Sequence, residues 1–123
     1  MDITLDSTNS RYLIRAYEAG KLHINDEIFS HSVIVTPEQL IHPWTPKNFD
    51  SLRKAHLAEL MISSPDIILI GTGEKWKIIP SEWLMIFYEL QIGVEVMNTH
   101  SACTTFNVLA AEGRKVVAGL LIV

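Results

Sequence analysis

Asp66-Ile67-Ile68-Leu69-Ile70-Gly71-Thr72-Gly73 is the stretch on which the fold turns. Asp66–Ile70 is apolar without alternation from Ile67 onward, and it ends at a Gly-Thr-Gly turn. A strand with one wet face alternates apolar and polar residues. A continuous run instead predicts a strand buried on both faces, as in a parallel sheet.

The segments on either side repeat that logic. Downstream, Lys75–Ile79 reads as a small extra strand. Pro80-Ser81-Glu82 opens a helix to about Leu90, with Trp83, Leu84, Phe87 and Leu90 available for burial. After Gly93, Val94–Met97 is a further strand. Asn98 or Thr99 then caps a helix to about Glu112, with Gly113 just beyond its end, and Lys115–Val123 is the last strand. Upstream, Asp50 is a candidate N-cap for a helix over Ser51–Ile62, where Leu52, Leu57, Leu60 and Met61 supply an apolar face. Helix and strand thus alternate through the C-terminal half, the signature of βαβ units.

The N-terminal third has a different pattern. Tyr12–Glu18, Lys21–Asn25, Glu27–Phe29 and His31–Thr36 are short strand-forming runs. Ala19-Gly20 and Asn25-Asp26 make turns between them, which predicts an antiparallel meander. Glu38–Asn48 is a connector in which Pro43 and Pro46 exclude a regular helix. The expectation is an α/β chain: a three-layer fold with a mixed sheet, flanking helices and an antiparallel N-terminal section. Residues 1–11 are read as a flexible segment and residues 12–123 as one domain, without internal repeats.

Composition bounds the function. The chain has 123 residues, of which 48% are hydrophobic and 20% charged, with a formal charge of −4. That balance argues against a basic nucleic-acid surface, since phosphate binding uses clustered Lys and Arg. A single cysteine excludes an internal disulfide. The start MDITLDSTNS is neither a secretory signal nor a transit peptide. No apolar run approaches the ~20 residues that span a bilayer. These features predict a cytoplasmic chain with no membrane insertion.

Candidate chemistry collects at one place. Ligands of open α/β sheets sit beyond the carboxyl ends of the strands. Gly71, Thr72 and Gly73 follow one such strand, and Asn98-Thr99 caps a helix that follows another. If those strands are neighbours, the two ends share one rim, where helix N–H groups and the hydroxyls of Thr72, Thr99, Ser101 and Thr104 would suit a small anionic ligand. The plainer reading is a tight turn beside an ordinary cap. The dinucleotide glycine fingerprint is incomplete, since Trp76 stands where a third glycine belongs. His100 and Cys103 lie three apart on one helix, but nothing in the sequence orients them, and buried packing of the thiol is the simpler reading. Glu95, inside a strand, is the most interesting acid. The five histidines are scattered, so no metal and no cofactor is expected. The stiff Pro43-Trp44-Thr45-Pro46 segment and Trp76 suggest a surface for a protein partner.

Particular motifs add a resemblance. Tyr12–Tyr17, Ser32–Pro37, Gly71-Thr72-Gly73 and Gly93-Val94-Glu95-Val96-Met97-Asn98-Thr99 occur in order, followed by Ala102, Thr105–Leu109 and Glu112-Gly113-Arg114. Over residues 12 to 122 the chain resembles a domain family of unknown function. That family includes a mitochondrial respiratory complex I assembly factor and an adipogenesis-associated protein. Many members carry an acidic residue where this chain has Asn98. The resemblance implies a three-layer α/β fold and no established catalytic activity. For one eukaryotic branch it implies assembly of a respiratory enzyme through protein contacts. With no targeting extension read at its start, the chain is expected to be a compact, bacterial-type relative. The leading expectation is therefore a non-enzymatic interaction or assembly protein. The alternative is a small-ligand or anion-binding protein, or an enzyme, that uses the Gly71–Gly73 and Asn98–Thr99 rim.

Overall fold

Strand β6 (Ile67–Gly71) lies at the centre of the molecule, with its three middle residues fully buried. In this computed structural model, which describes residues 10–122, β6 pairs in parallel with β7 (Gly93–Met97) on one side and β8 (Val116–Leu120) on the other. Beyond β8, β4 (Val33–Val35) runs antiparallel to it, and β5 (Leu40–Ile41) closes the far edge. The five-stranded order is β5-β4-β8-β6-β7. A separate antiparallel sheet holds β1 (Ile14–Glu18), β2 (Lys21–Ile24) and β3 (Glu27–Phe29).

Three helices complete the layers: α1 (Lys54–Leu57), α2 (Ser81–Glu89) and α3 (Thr99–Ala111). The crossover through α2 moves outward from β6 to β7, and the one through α3 moves back from β7 to β8. Right-handed crossovers in opposite directions put their helices on opposite faces of the sheet. Two cores result. Leu69, Ala118 and Leu120 face α3 and the small sheet, meeting Ala102, Phe106, Ile24 and Phe29. Ile68, Ile70 and Val117 face α1 and α2, meeting Trp44, Leu57, Leu60 and Phe87. Each fully buried aliphatic or aromatic side chain contributes about 2 kcal/mol. The small sheet is also held by polar contacts. The register shifts between Ile14 and Ala16. There Asn107 of α3 accepts the Ile14 N–H at 3.0 Å and donates to the Ile14 carbonyl at 2.8 Å.

The α/β class, the mixed sheet and the antiparallel N-terminal section agree with the sequence reading, but several local expectations do not. Strand β4 leaves the expected meander for the main sheet, because Val33, Ile34 and Val35 are all buried and need cover on both faces. The helix expected over Ser51–Ile62 is broken. A single turn at Phe49–Ser51 is capped by Asn48, not Asp50, with the Asn48 side chain accepting the Ser51 N–H. Leu52 and Arg53 are then extended, and α1 follows. Leu52 and Leu57 would lie about 140° apart on one regular helix. Both are buried in the same core, so the chain rewinds between them. Lys75–Ile79 forms a loop rather than a strand. Most of the segment expected to be flexible, residues 1–11, lies outside the described residues.

Candidate functional site

The strands that carry the two halves of the expected rim are neighbours, so Gly71, Thr72, Gly73, Asn98 and Thr99 do come together. Their polar atoms bond to one another. Thr99 is fully buried; its hydroxyl accepts the Gly73 N–H at 2.8 Å and donates to the Leu121 carbonyl at 2.5 Å. Its N–H donates to the Gly73 carbonyl at 2.8 Å. Thr72 donates its N–H to the Met97 carbonyl at 2.9 Å and its hydroxyl to the Lys75 carbonyl at 2.7 Å. The same hydroxyl accepts the Lys77 N–H at 3.2 Å, which shapes the loop that follows. Asn98 caps α3 by accepting the Ser101 N–H at 2.8 Å. Thr104 stands apart, exposed, donating to the His100 carbonyl one turn back at 3.3 Å.

The glycines have steric reasons of their own. A Cβ on Gly71 would lie 2.9 Å from both Cα and Oγ1 of Thr99, so glycine lets the strand end meet the helix start. Gly73 has φ +108°, a conformation that L side chains rarely adopt. The cleft beside the rim is lined by Asn48, Phe49, Asp50, Thr72, Glu74, Lys75 and Lys77. Its two carboxylates and two ammonium groups give it no preference for an anion.

Cys103 lies in the core between α3 and the small sheet, where burial pushes its thiol up to about 12. A thiol that stays protonated through the physiological range is a poor nucleophile and a poor metal ligand. Glu95, which the sequence left open between half-burial and solvent, is exposed on the edge strand β7. No group of three or more metal-binding side chains occurs among the described residues.

The two tryptophans part company. The expectation of an exposed Trp44 is corrected: it is only 1% exposed. Its N–H donates to the Ser32 carbonyl at 2.7 Å and its Nε1 to the His56 carbonyl at 3.3 Å. Its ring fills the space left by Gly119 of β8, where a Cβ would come within 2.8 Å of it. Trp76, in contrast, is 57% exposed.

Two features escaped the sequence reading. His31 and His42, eleven residues apart, stack with ring centroids 5.3 Å apart and ring nitrogens 3.3 Å apart, against Phe29. Nothing in their spacing signals this, because the tertiary fold makes the pair. The second feature is an apolar surface. Trp76, Ile78, Met85, Ile86, Tyr88 and Leu90 are all exposed, from the loop after β6 through α2. Leu84 and Phe87 alone fix the buried stripe of α2, with Trp83 half-buried beside them. A signal was present: SEWLMIFYEL has more apolar residues than one helical stripe can use.

Comparison with known proteins places these features in a family. Over 118 residues, 94% of this chain and 95% of the relative, it is 29% identical to the "13 kDa major membrane protein" of Francisella tularensis. It is 39% identical over 110 residues to NADH dehydrogenase (ubiquinone) 1 alpha subcomplex assembly factor 3 of Rattus norvegicus, matching 88% of this chain and 59% of the relative. The chain therefore spans about three-fifths of that assembly factor. A crystal structure of a Bordetella parapertussis protein superposes with a TM-score of 0.86 at 30% identity, covering 93% of this chain and 98% of that one. No helix among the described residues is long and apolar enough to cross a membrane. A family model described as "Protein of unknown function (DUF498/DUF598)" matches residues 14–121, and the chain belongs to that family.

Proposed function

We propose that the protein is a non-enzymatic interaction and assembly module that binds a protein partner through the apolar surface from Trp76 to Leu90. The observation that carries this reading is the exposure of Trp76, Ile78, Met85, Ile86, Tyr88 and Leu90 within one fifteen-residue stretch. So many large apolar side chains left exposed in one short segment mark a place where something docks. The rim argues in the same direction, because the hydroxyls of Thr72 and Thr99 already have partners and leave little for a substrate. The assembly-factor name of the rat relative is consistent with a protein partner for this domain.

The test is affinity purification of the full chain from its native cell, with the recovered partner identified and the pair then reconstituted from purified proteins. The expected result is one partner held by the wild-type chain and lost with Trp76→Glu or Ile86→Glu. Recovery of that partner undiminished by either variant refutes this surface. Failure to recover any partner refutes the assembly role.

A further inference from the structure

The open edge of the main sheet lies beside that surface. Strand β7 has one strand neighbour among the described residues, β6. The Gly93 N–H donates to the Asp66 carbonyl at 3.1 Å, and the Met97 carbonyl accepts the Thr72 N–H at 2.9 Å. Residues 93, 95 and 97 thus bond toward β6. Backbone direction alternates along a strand, so Val94 and Val96 present their N–H and C=O groups outward, four groups without a ladder. The side chains of Val94 and Val96 pack toward α2, and Glu95 emerges, exposed, on the α3 side.

Helix α2 overhangs this edge. It packs on β7 and beside α1. Trp83 lies on the flank toward Phe49 and Leu52, in a shared cleft. By the helical period, Met85 and Tyr88 occupy the opposite flank, away from α1 and toward the open edge.

Charge is equally one-sided. Between Lys77 and Arg114 the chain has Glu82, Glu89, Glu95 and Glu112, and no Lys or Arg. The cations that follow, Arg114 and Lys115, lead into β8 on the far side of β6. The α2–β7–α3 stretch of chain is therefore apolar and acidic, with His100 its one basic side chain, while Lys75 and Lys77 line the cleft beyond the end of β7 with Asn48, Phe49 and Asp50.

We infer that the β7 edge is the docking site for an extended segment of the partner protein in which Lys or Arg alternates with apolar residues. The segment adds a sixth strand. Its backbone pairs with Val94 and Val96, its basic side chains face Glu95, and its apolar side chains cover Met85 and Tyr88. A second copy of this chain fits poorly, since a two-fold pairing centred on β7 sets Glu95 against Glu95. Residues 1–9 fit poorly too, because they contain Asp2 and Asp6 and no Lys or Arg. The inference rests on the interaction role proposed above and specifies its partner.

The experiment pans a random heptapeptide display library on the full chain. The expected winners alternate Lys or Arg with apolar residues, and the synthesised winner shifts the amide resonances of Val94–Val96. Glu95→Lys then weakens that peptide about tenfold and redirects panning toward acidic sequences. Val94→Pro removes one outward N–H, leaves the β6 ladder intact and also weakens binding about tenfold. Winners without basic residues, or a peptide indifferent to both variants, overturn the proposal. So does a wild-type chain that self-associates while Val94→Pro is monomeric, which assigns the edge to a second copy. Slow hydrogen exchange at Val94 and Val96 that is lost on deleting residues 1–9 overturns it in favour of the chain's own N-terminus. A cellular partner that binds both variants normally defeats this inference while leaving the interaction role standing.

Discussion

The Gly71–Thr99 rim and the α2–β7 edge lie on the same half of the sheet and differ in one respect. The rim has the residues of a ligand site, yet its hydroxyls and amides face one another. The edge carries no motif, yet it leaves a backbone ladder uncovered, with the exposed Met85 and Tyr88 of α2 above it. Glycines and caps at a strand end mark a close approach of chain segments, and that approach can serve packing alone. Open binding capacity is better read from what has no partner.

The largest expected effect separates the two exposed-looking tryptophans of the sequence. Trp44→Ala removes a ring that fills the gap over Gly119, and unfolding should become easier by about 4 kcal/mol. Trp76→Ala should change stability by less than about 0.5 kcal/mol. Urea denaturation followed by circular dichroism measures both. Similar losses from the two would mean that Trp76 is packed as well.

Thr99→Val keeps the shape of the rim and removes its hydroxyl. The Gly73 N–H and the Leu121 carbonyl then lose a partner in a buried site, for a loss of about 2 kcal/mol. If the hydroxyl instead served a ligand, the variant would keep its stability.

How much of this was legible follows from which information is local. Asp66–Ile70 reads correctly because burial on both faces leaves its mark on every residue. Asn98 reads correctly as a cap because capping involves only its own helix. Val33–Val35 carries the same continuous apolarity as β6, but its partner β8 lies over eighty residues away, so the short turns before it suggest the wrong sheet. Trp44 looks exposed between two prolines because the residue that makes room for it is Gly119. The stacked histidines are likewise a product of distant strands. The open edge at β7 has a sequence signal, the stretch without Lys or Arg from residue 78 to 113. That signal acquires meaning only when the sheet order places β7 last.

Cys103 sets up the next comparison, through pH. Burial raises its pKa from 9.0 to about 12. Tyr17 shifts upward too, first from burial and then from the nearby Glu74 and Cys103. Both groups give up protons more readily in the unfolded chain. Their stabilisation is complete below the unfolded pKa and is lost as pH rises through the folded value. Between pH ~9 and ~12 the wild-type chain should lose up to about 1.4 kcal/mol per pH unit more than Cys103→Ala. Parallel pH profiles for the two would place the thiol in contact with solvent, and alkylation by iodoacetamide at pH 8 would then be fast.

The smallest stability effect tests the open region most directly. Ile86 is 42% exposed on α2, and Ile86→Glu should move unfolding by no more than about 0.5 kcal/mol. Selection for stability alone would leave such a position free to be polar. If the uncovered apolar face exists to meet a partner, the variant should fold normally and fail to bind. A stability loss near that of Thr99→Val would instead show that Ile86 supports the second core, and the uncovered apolar surface would shrink to Trp76, Ile78, Met85, Tyr88 and Leu90.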